Sequence, residues 1–148
     1  MTSQNQISTP QQAIAPIHLQ VGTALPSLVT PAINRITLSM YAGASGDNNP
    51  IHVDIDFARR AGMPDVFAHG MLSMAYMGRL LTNWVPQEKI IQFKARFVGI
   101  THVGNQLTCT AKVVEQLEFE GKPVLRIELC AATQYGDAKT LGDALIHI

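Results

Sequence analysis

Alternation of apolar and polar residues in the second half of the chain predicts a β-sheet. Four segments rich in β-branched and aromatic residues are separated by short turns that contain Gly: residues 90–97, 106–116, 123–134 and 139–148. The alternation is partial, as expected when one face of a sheet packs on a helix and the other is more exposed. These segments therefore predict an antiparallel meander of four strands.

Residues 70–85 form the longest largely apolar stretch and predict a helix that ends before Pro86. Its apolar side chains nearly encircle the helix axis and are Met71, Leu72, Ala75, Met77, Leu80, Leu81 and Trp84. A helix that is apolar on most sides is buried on most sides, so other elements must surround it. An antiparallel sheet wrapped around one long central helix, an α+β arrangement, accounts for both patterns.

Signals are weaker in the first half of the chain. Residues 28–36 predict an irregular or edge strand, because Pro31 interrupts the pattern. Two short helices are expected at residues 38–44 and 54–61. Asp54 has the side chain of an N-cap for the second of them. These elements complete the predicted domain.

Composition sets the boundaries of that domain and its class. Residues 1–16 are rich in Gln, Ser, Thr and Pro and predict a flexible tail, which leaves residues 17–148 as one domain.

The charge of the chain bears on its partners. Eleven basic and eleven acidic side chains cancel, so binding to nucleic acid or to an anionic membrane is not expected. No secretion signal is recognised, and Cys109 and Cys130 are expected to be buried, reduced thiols, so we expect a cytoplasmic protein.

Candidate chemistry begins at residues 45–54, SGDNNPIHVD, where polar groups cluster beside apolar segments. Asp47 and His52 lie five positions apart across a turn that contains Pro, so they could converge on one water as an acid–base pair. The amide of Asn49 could fix the orientation of a neighbour. The alternative is that Asp47 and Asn49 form turn hydrogen bonds and that His52 is a surface imidazole.

A second candidate lies at residues 67–71, FAHGM, which lead into the long helix. The backbone N–H of Gly70 would be unpaired at the helix N-terminus, where the helix dipole can stabilise a developing oxyanion. Alternatively, Gly70 only allows a neighbouring element to pack closely against the helix, and His69 only caps the helix or fills space beside it. A metal site that pools Asp47, His52, Asp54 and His69 matches no familiar zinc spacing, so no metal is predicted.

Residues 41–72, YAGASGDNNPIHVDIDFARRAGMPDVFAHGML, resemble the signature of MaoC-like dehydratases and (R)-specific enoyl-CoA hydratases. The order of elements is similar to that of a single hot-dog fold. The resemblance implies that Asp47 and His52 are the catalytic residues and that Gly70 supplies the backbone oxyanion donor. It also implies reversible hydration of trans-2-enoyl thioesters to (R)-3-hydroxyacyl thioesters, without a cofactor.

The same resemblance suggests the partners of the chain. The substrate would be an acyl thioester of coenzyme A, or of acyl carrier protein, bound between the two subunits of a homodimer. We expect Asn49 and His69 to border the substrate. The side chains of Met74, Tyr76 and Met77 are candidates for the acyl pocket, although a stripe at helical spacing is also typical of core.

Two other functions are compatible with a hot-dog fold. A hot-dog thioesterase usually carries a carboxylate on the central helix, and residues 70–85 contain no Asp or Glu. A non-catalytic acyl-thioester-binding subunit could lose the acid–base pair, but Asp47 and His52 are both present. Hydration is therefore the favoured prediction.

Overall fold

The computed structural model describes residues 19–148, and the predicted tail at residues 1–16 lies outside them. The helices and strands in this part of the chain are β1 (Ala24–Val29), α1 (Arg35–Ser45), α2 (Ile55–Arg60), α3 (Gly70–Thr82), β2 (Ile90–Phe97), β3 (Leu107–Phe119), β4 (Lys122–Thr133) and β5 (Ala138–His147). Two 3-10 turns, Pro50–His52 and Gln87–Lys89, complete the set. None of the described helices is long and apolar enough to span a bilayer.

All five strands form one antiparallel sheet in the order β1-β3-β4-β5-β2. The predicted meander is correct for β3, β4 and β5 but wrong for β2, which pairs with β5 at the far edge instead of with β3. Lys94 of β2, for example, lies opposite Asp143 of β5. Alternation along a strand specifies the buried face but not the neighbouring strand, which explains the error.

The long helix α3 packs on one face of this sheet, as predicted. Met77, Leu80 and Leu81 have no exposed surface and contact the inward side chains of the strands. Helix α3 ends at Thr82, earlier than predicted, but Trp84 and Val85 are still buried in the same core. The apolar residues after Thr82 are therefore explained by burial in the core and not by a longer helix.

The first strand and first helix differ from the prediction. Strand β1 spans Ala24–Val29 and lies at the sheet edge, so residues 28–36 are not one strand. Its pairing with β3 is irregular between Leu25 and Leu28, and such an irregular edge accommodates Pro26. Helix α1 begins sooner than expected because Asn34 caps it, with its Oδ1 accepting the Thr37 N–H at 2.9 Å.

The second short helix agrees with the prediction. The Asp54 side chain caps α2 by accepting the N–H groups of Asp56 and Phe57 at 2.9 and 3.1 Å. Both cysteines are free thiols, Cys109 buried and Cys130 half-buried. Burial raises the pKa of the Cys109 thiol to about 11, so this group stays protonated at neutral pH.

Candidate active site

The acid–base loop, residues 46–54, connects α1 to α2. The Asp47 N–H donates to Ser45 Oγ at 3.2 Å, and Asp47 Oδ1 accepts the Asn49 N–H at 3.3 Å. Asn49 Oδ1 in turn accepts the Ile51 N–H at 3.1 Å and caps the turn Pro50–His52. The turn bonds expected for Asp47 and Asn49 are thus present, yet they engage only one carboxylate oxygen of the exposed Asp47.

His52 is buried, at 9% exposure, and is not a surface imidazole. Its Nδ1 lies 2.8 Å from the carbonyl oxygen of Phe67. A carbonyl oxygen only accepts, so Nδ1 carries the hydrogen and donates it. In the neutral ring, Nε2 then holds the lone pair that can take up a proton. The loop therefore presents a carboxylate and an imidazole base together.

His69 connects this loop to the start of α3. Its ring is 1% exposed and stacks on His52, with centroids 3.8 Å apart and 28° between the planes. Nε2–H donates to the main-chain oxygen of Asp47 at 3.1 Å, and the ring of Tyr41 packs edge-on with its centroid 5.0 Å from that of His69. Burial lowers the pKa of His69 from its usual value and His52 adds to the shift, while Asp47 opposes it, so the net shift favours the neutral ring at neutral pH.

Gly70 is the first residue of α3, and its N–H has no hydrogen-bond partner among residues 19–148. A Cβ on Gly70 would lie 3.1 Å from the ring of Phe97, the last residue of β2. Gly70 therefore allows the close approach of Phe97, in line with the packing interpretation. Its unpaired N–H at a helix N-terminus leaves it available as an oxyanion donor, and that role stays a prediction.

Asp47, His52 and His69 each place one possible ligand atom within 4.8 Å of the others. Asp54, which the sequence grouped with them, caps α2 instead. His52 Nδ1 and His69 Nε2 donate to main-chain oxygens, so one nitrogen of each ring, His52 Nε2 and His69 Nδ1, keeps its lone pair free.

The residues proposed to border the substrate occupy different environments. Met77 lies in the fully buried core against Gly142, so the structure assigns it to packing instead of to an acyl pocket. Met74 and Tyr76 are half-buried. Asn49 is exposed and uses its side-chain oxygen as a cap. Of these residues, Met74 and Tyr76 keep surface that a ligand could reach.

The roles of three contributors to the site were not predicted from the sequence. Phe67 acts through its backbone oxygen, for which a side-chain motif gives no signal. Thr101 holds the neighbouring Ala68 N–H through its carbonyl oxygen at 2.9 Å. Phe97 is 48% exposed beside Gly70. The one sequence feature that could have drawn attention to Phe97 is its position as an aromatic residue at the end of a predicted strand.

Comparisons with known proteins place this arrangement in a family. The family described as MaoC like domain matches residues 3–130. The fatty acid synthase subunit beta of Saccharomyces cerevisiae is 42% identical over 107 residues, which are 70% of this chain but 5% of that protein. The mitochondrial 3-hydroxyacyl-[acyl-carrier-protein] dehydratase of Arabidopsis thaliana is 25% identical over 108 residues, covering 73% of this chain and 64% of the dehydratase.

Solved structures agree with this placement. The R-hydratase PhaJ1 of Pseudomonas aeruginosa superposes with a TM-score of 0.77 at 27% identity, covering 88% of this chain and 83% of that one. The (R)-hydratase from A. caviae gives a TM-score of 0.76 at 25% identity, covering 88% and 98% of the two chains. The predicted hot-dog fold is confirmed. The chain therefore belongs to the family of MaoC-like dehydratase domains, as its sequence indicated.

Proposed function

We propose that this chain catalyses the reversible hydration of trans-2-enoyl thioesters to (R)-3-hydroxyacyl thioesters. The observation that carries the proposal is the convergence of the Asp47 carboxylate and the His52 ring at the mouth of α3. The names of its relatives support the same chemistry, since they include R-hydratases and a 3-hydroxyacyl dehydratase.

In the proposed mechanism, one water lies between the Asp47 carboxylate and the His52 ring, whose possible ligand atoms are within 4.8 Å of one another. Its two O–H groups donate to the unengaged carboxylate oxygen of Asp47 and to Nε2 of His52, which Phe67 leaves unprotonated. The water oxygen forms a bond to the β-carbon of the enoyl thioester while one acceptor removes a proton. Holding water and double bond together supplies the orientation that the uncatalysed reaction lacks.

Negative charge then develops on the thioester oxygen as an enolate. The unpaired Gly70 N–H, at the positive end of the α3 dipole, would donate to that oxygen. The proton removed from water returns to the α-carbon on the same face, and the neutral 3-hydroxyacyl thioester results. Asp47 and His52 share this proton as a coupled pair, so acid and base are not assigned separately. Thioester activation makes a cofactor unnecessary.

We also propose that the domain works as a homodimer in the cytoplasm on a thioester of coenzyme A or acyl carrier protein. The dimer is supported by apolar side chains left exposed around Gly70, which a second subunit would cover: Met71, Phe97, Val98 and Ile100. Two free thiols are consistent with a reducing compartment.

The test follows loss of enoyl-thioester absorbance with crotonyl-CoA and longer trans-2-enoyl-CoAs. We expect turnover by the wild type and a loss of about 10²- to 10⁴-fold in Asp47→Asn and His52→Ala, the size of general acid–base catalysis. Asp56→Asn is the matched control, because this exposed carboxylate lies in the first turn of α2 and should not affect the rate.

Other results would replace the proposal. Release of free coenzyme A without hydration would indicate a thioesterase, although α3 has no carboxylate to activate water for that reaction. Tight acyl-CoA binding without turnover at any chain length would indicate a non-catalytic subunit. Formation of the (S) product would contradict attack and protonation on the proposed face.

A further inference from the structure

Both members of the acid–base pair are held by the same short stretch, the pre-helix segment, residues 67–69. The carbonyl oxygen of Phe67 accepts from His52, and His69 donates to the carbonyl oxygen of Asp47. The remaining hydrogen bonds of Asp47 are local, to Ser45 and Asn49. Within residues 19–148, the bond from His69 is therefore the one hydrogen bond that ties Asp47 to a distant part of the fold.

The pre-helix segment is itself firmly anchored. Ala68 is 4% exposed and donates its N–H to Thr101 O at 2.9 Å. Phe67 forms an isolated antiparallel bridge with His102. Val66, just before the segment, is 1% exposed. A group attached to this segment can move little, so it can act as a reference point for the exposed loop.

An imidazole at position 69 lowers the stability of the folded state. The ring is buried, and its Nδ1 has no hydrogen-bond partner within residues 19–148. Because Nε2 holds the hydrogen, Nδ1 is an acceptor without a donor, which destabilises the folded state. A Phe ring would fill the same space without this cost. What His69 adds over Phe is the N–H bond to Asp47.

We propose that His69 is a positioning residue that aims Asp47 and His52 at the same water. Its Nε2–H fixes the Asp47 main chain, and its ring supports one face of the His52 ring. This inference rests on the proposed hydratase function. It assigns His69 a role different from the substrate contact expected from the sequence, because a side chain that is 1% exposed offers little surface to a substrate.

Two substitutions separate the two contributions. His69→Phe keeps an aromatic ring against His52 but lacks the N–H, whereas His69→Gln offers an N–H at similar reach but lacks the ring. We expect kcat of His69→Phe to fall by about 100-fold, the typical result of misplacing a catalytic group by about 1 Å. KM should change little. His69→Gln should regain about tenfold of the loss, the size of one hydrogen bond.

The matched control is His147→Gln at the end of β5, away from the loop, which should behave as the wild type. Each variant is first checked for folding by circular dichroism and thermal unfolding. Wild-type kcat in both His69 variants would overturn the proposal, because the residue would then only fill space. Raised KM with unchanged kcat would also overturn it, since His69 would then contact substrate.

A second measurement does not depend on turnover. Two-bond ¹H–¹⁵N correlation spectra identify which nitrogen of each imidazole carries the hydrogen. The wild type should show His52 protonated on Nδ1 and His69 protonated on Nε2. Protonation of His69 on Nδ1 would overturn the proposal. If both tautomers are as expected but the wild type hydrates no enoyl thioester, the proposed function fails while the positioning contacts remain.

Discussion

The acid–base loop and the pre-helix segment meet at the site but are built in opposite ways. In the loop, Asp47 and Asn49 are exposed and their side chains bond to neighbours two residues away. In the segment, Ala68 and His69 are buried and bond to residues far along the chain. Of the proposed acid–base pair, Asp47 thus lies on the exposed, locally bonded part of the loop, whereas His52 is buried and bonds to Phe67 of the segment. In the proposed site, the buried segment would align the two groups.

Because of this difference, substitutions in the two regions should affect turnover and stability to different extents. Exposed loop side chains contribute little burial energy, so changing them should alter turnover more than unfolding. Changes in the buried segment should affect both. Gly70, the proposed oxyanion donor, lies where the segment enters α3, and there the effect on turnover and the effect on stability can be measured separately.

The largest effect among the following tests is expected at Gly70. Gly70→Ala keeps the N–H, but its Cβ would lie 3.1 Å from the Phe97 ring, which must shift by a few tenths of an ångström. Phe97 is half-exposed and can give way, so we expect the fold to survive while kcat/KM falls by about 10- to 100-fold. Steady-state kinetics and thermal unfolding would measure the two effects.

The control for this prediction is the double variant Gly70→Ala with Phe97→Ala, compared with Phe97→Ala alone. Without the Phe97 ring, the added methyl group should lower kcat/KM much less than it does in the wild-type background. An equal loss from Gly70→Ala in both backgrounds would mean that the methyl group obstructs substrate directly, and the contact with Phe97 would then be incidental.

A smaller effect, on stability alone, is expected at the C-terminal end of the acid–base loop. Asp54→Ala removes both cap bonds of α2 and should lower the free energy of unfolding by about 1 kcal/mol. The melting temperature would fall by a few degrees, roughly 2–8 °C. Activity should persist, because Asp54 points at the α2 backbone and not at the water.

The neighbouring Asp56→Ala is the comparison for Asp54→Ala, since Asp56 is acidic in the first turn but is not the capping side chain. Its effect should be a few tenths of a kcal/mol, from the helix dipole. Loss of turnover in Asp54→Ala with a wild-type melting temperature would instead place Asp54 among the reacting groups.

The smallest predicted effect is the pH dependence of stability caused by His69. Burial holds the pKa of His69 below 6.5 in the folded protein, and His52 adds to this shift while Asp47 opposes it. Below about pH 6.5 the unfolded chain therefore binds a proton that the folded protein does not. The free energy of unfolding should decrease as pH falls, and the slope should be shallower in His69→Gln.

Denaturant unfolding at several values between about pH 5 and pH 8 would measure this slope. His102→Gln is the matched control, because this His is exposed and should leave the slope unchanged. A slope as steep in His69→Gln as in the wild type would assign the acid sensitivity to other groups.

The sequence predicted best where one local rule decides the structure. Strand β2 was predicted at its observed bounds, Ile90–Phe97, from composition and turns alone. The cap of α2 by Asp54 follows from a side chain that reaches its own helix. The loop containing Asp47 and His52 was identified because its polar residues interrupt apolar segments and resemble a family signature.

The sequence predicted poorly where distant segments meet. Pairing of β2 with β5 depends on the path of the chain around α3, which alternation does not encode. For Met77, the helical spacing favours core but leaves an acyl pocket open, and the sequence does not reveal the packing against Gly142. The bond from His69 to Asp47 involves a main-chain oxygen, and a main-chain oxygen leaves no trace in the sequence.

The strand order also has a consequence for the time at which the site is completed during synthesis. Strand β2 is made before β3, β4 and β5, yet its pairing partner within the described sheet is β5. Until β5 has left the ribosome, β2 has no edge to join, and Phe97 has no fixed place beside Gly70. Nascent chains arrested before β5 should therefore contain the acid–base loop but lack activity, with β2 unprotected from amide hydrogen exchange.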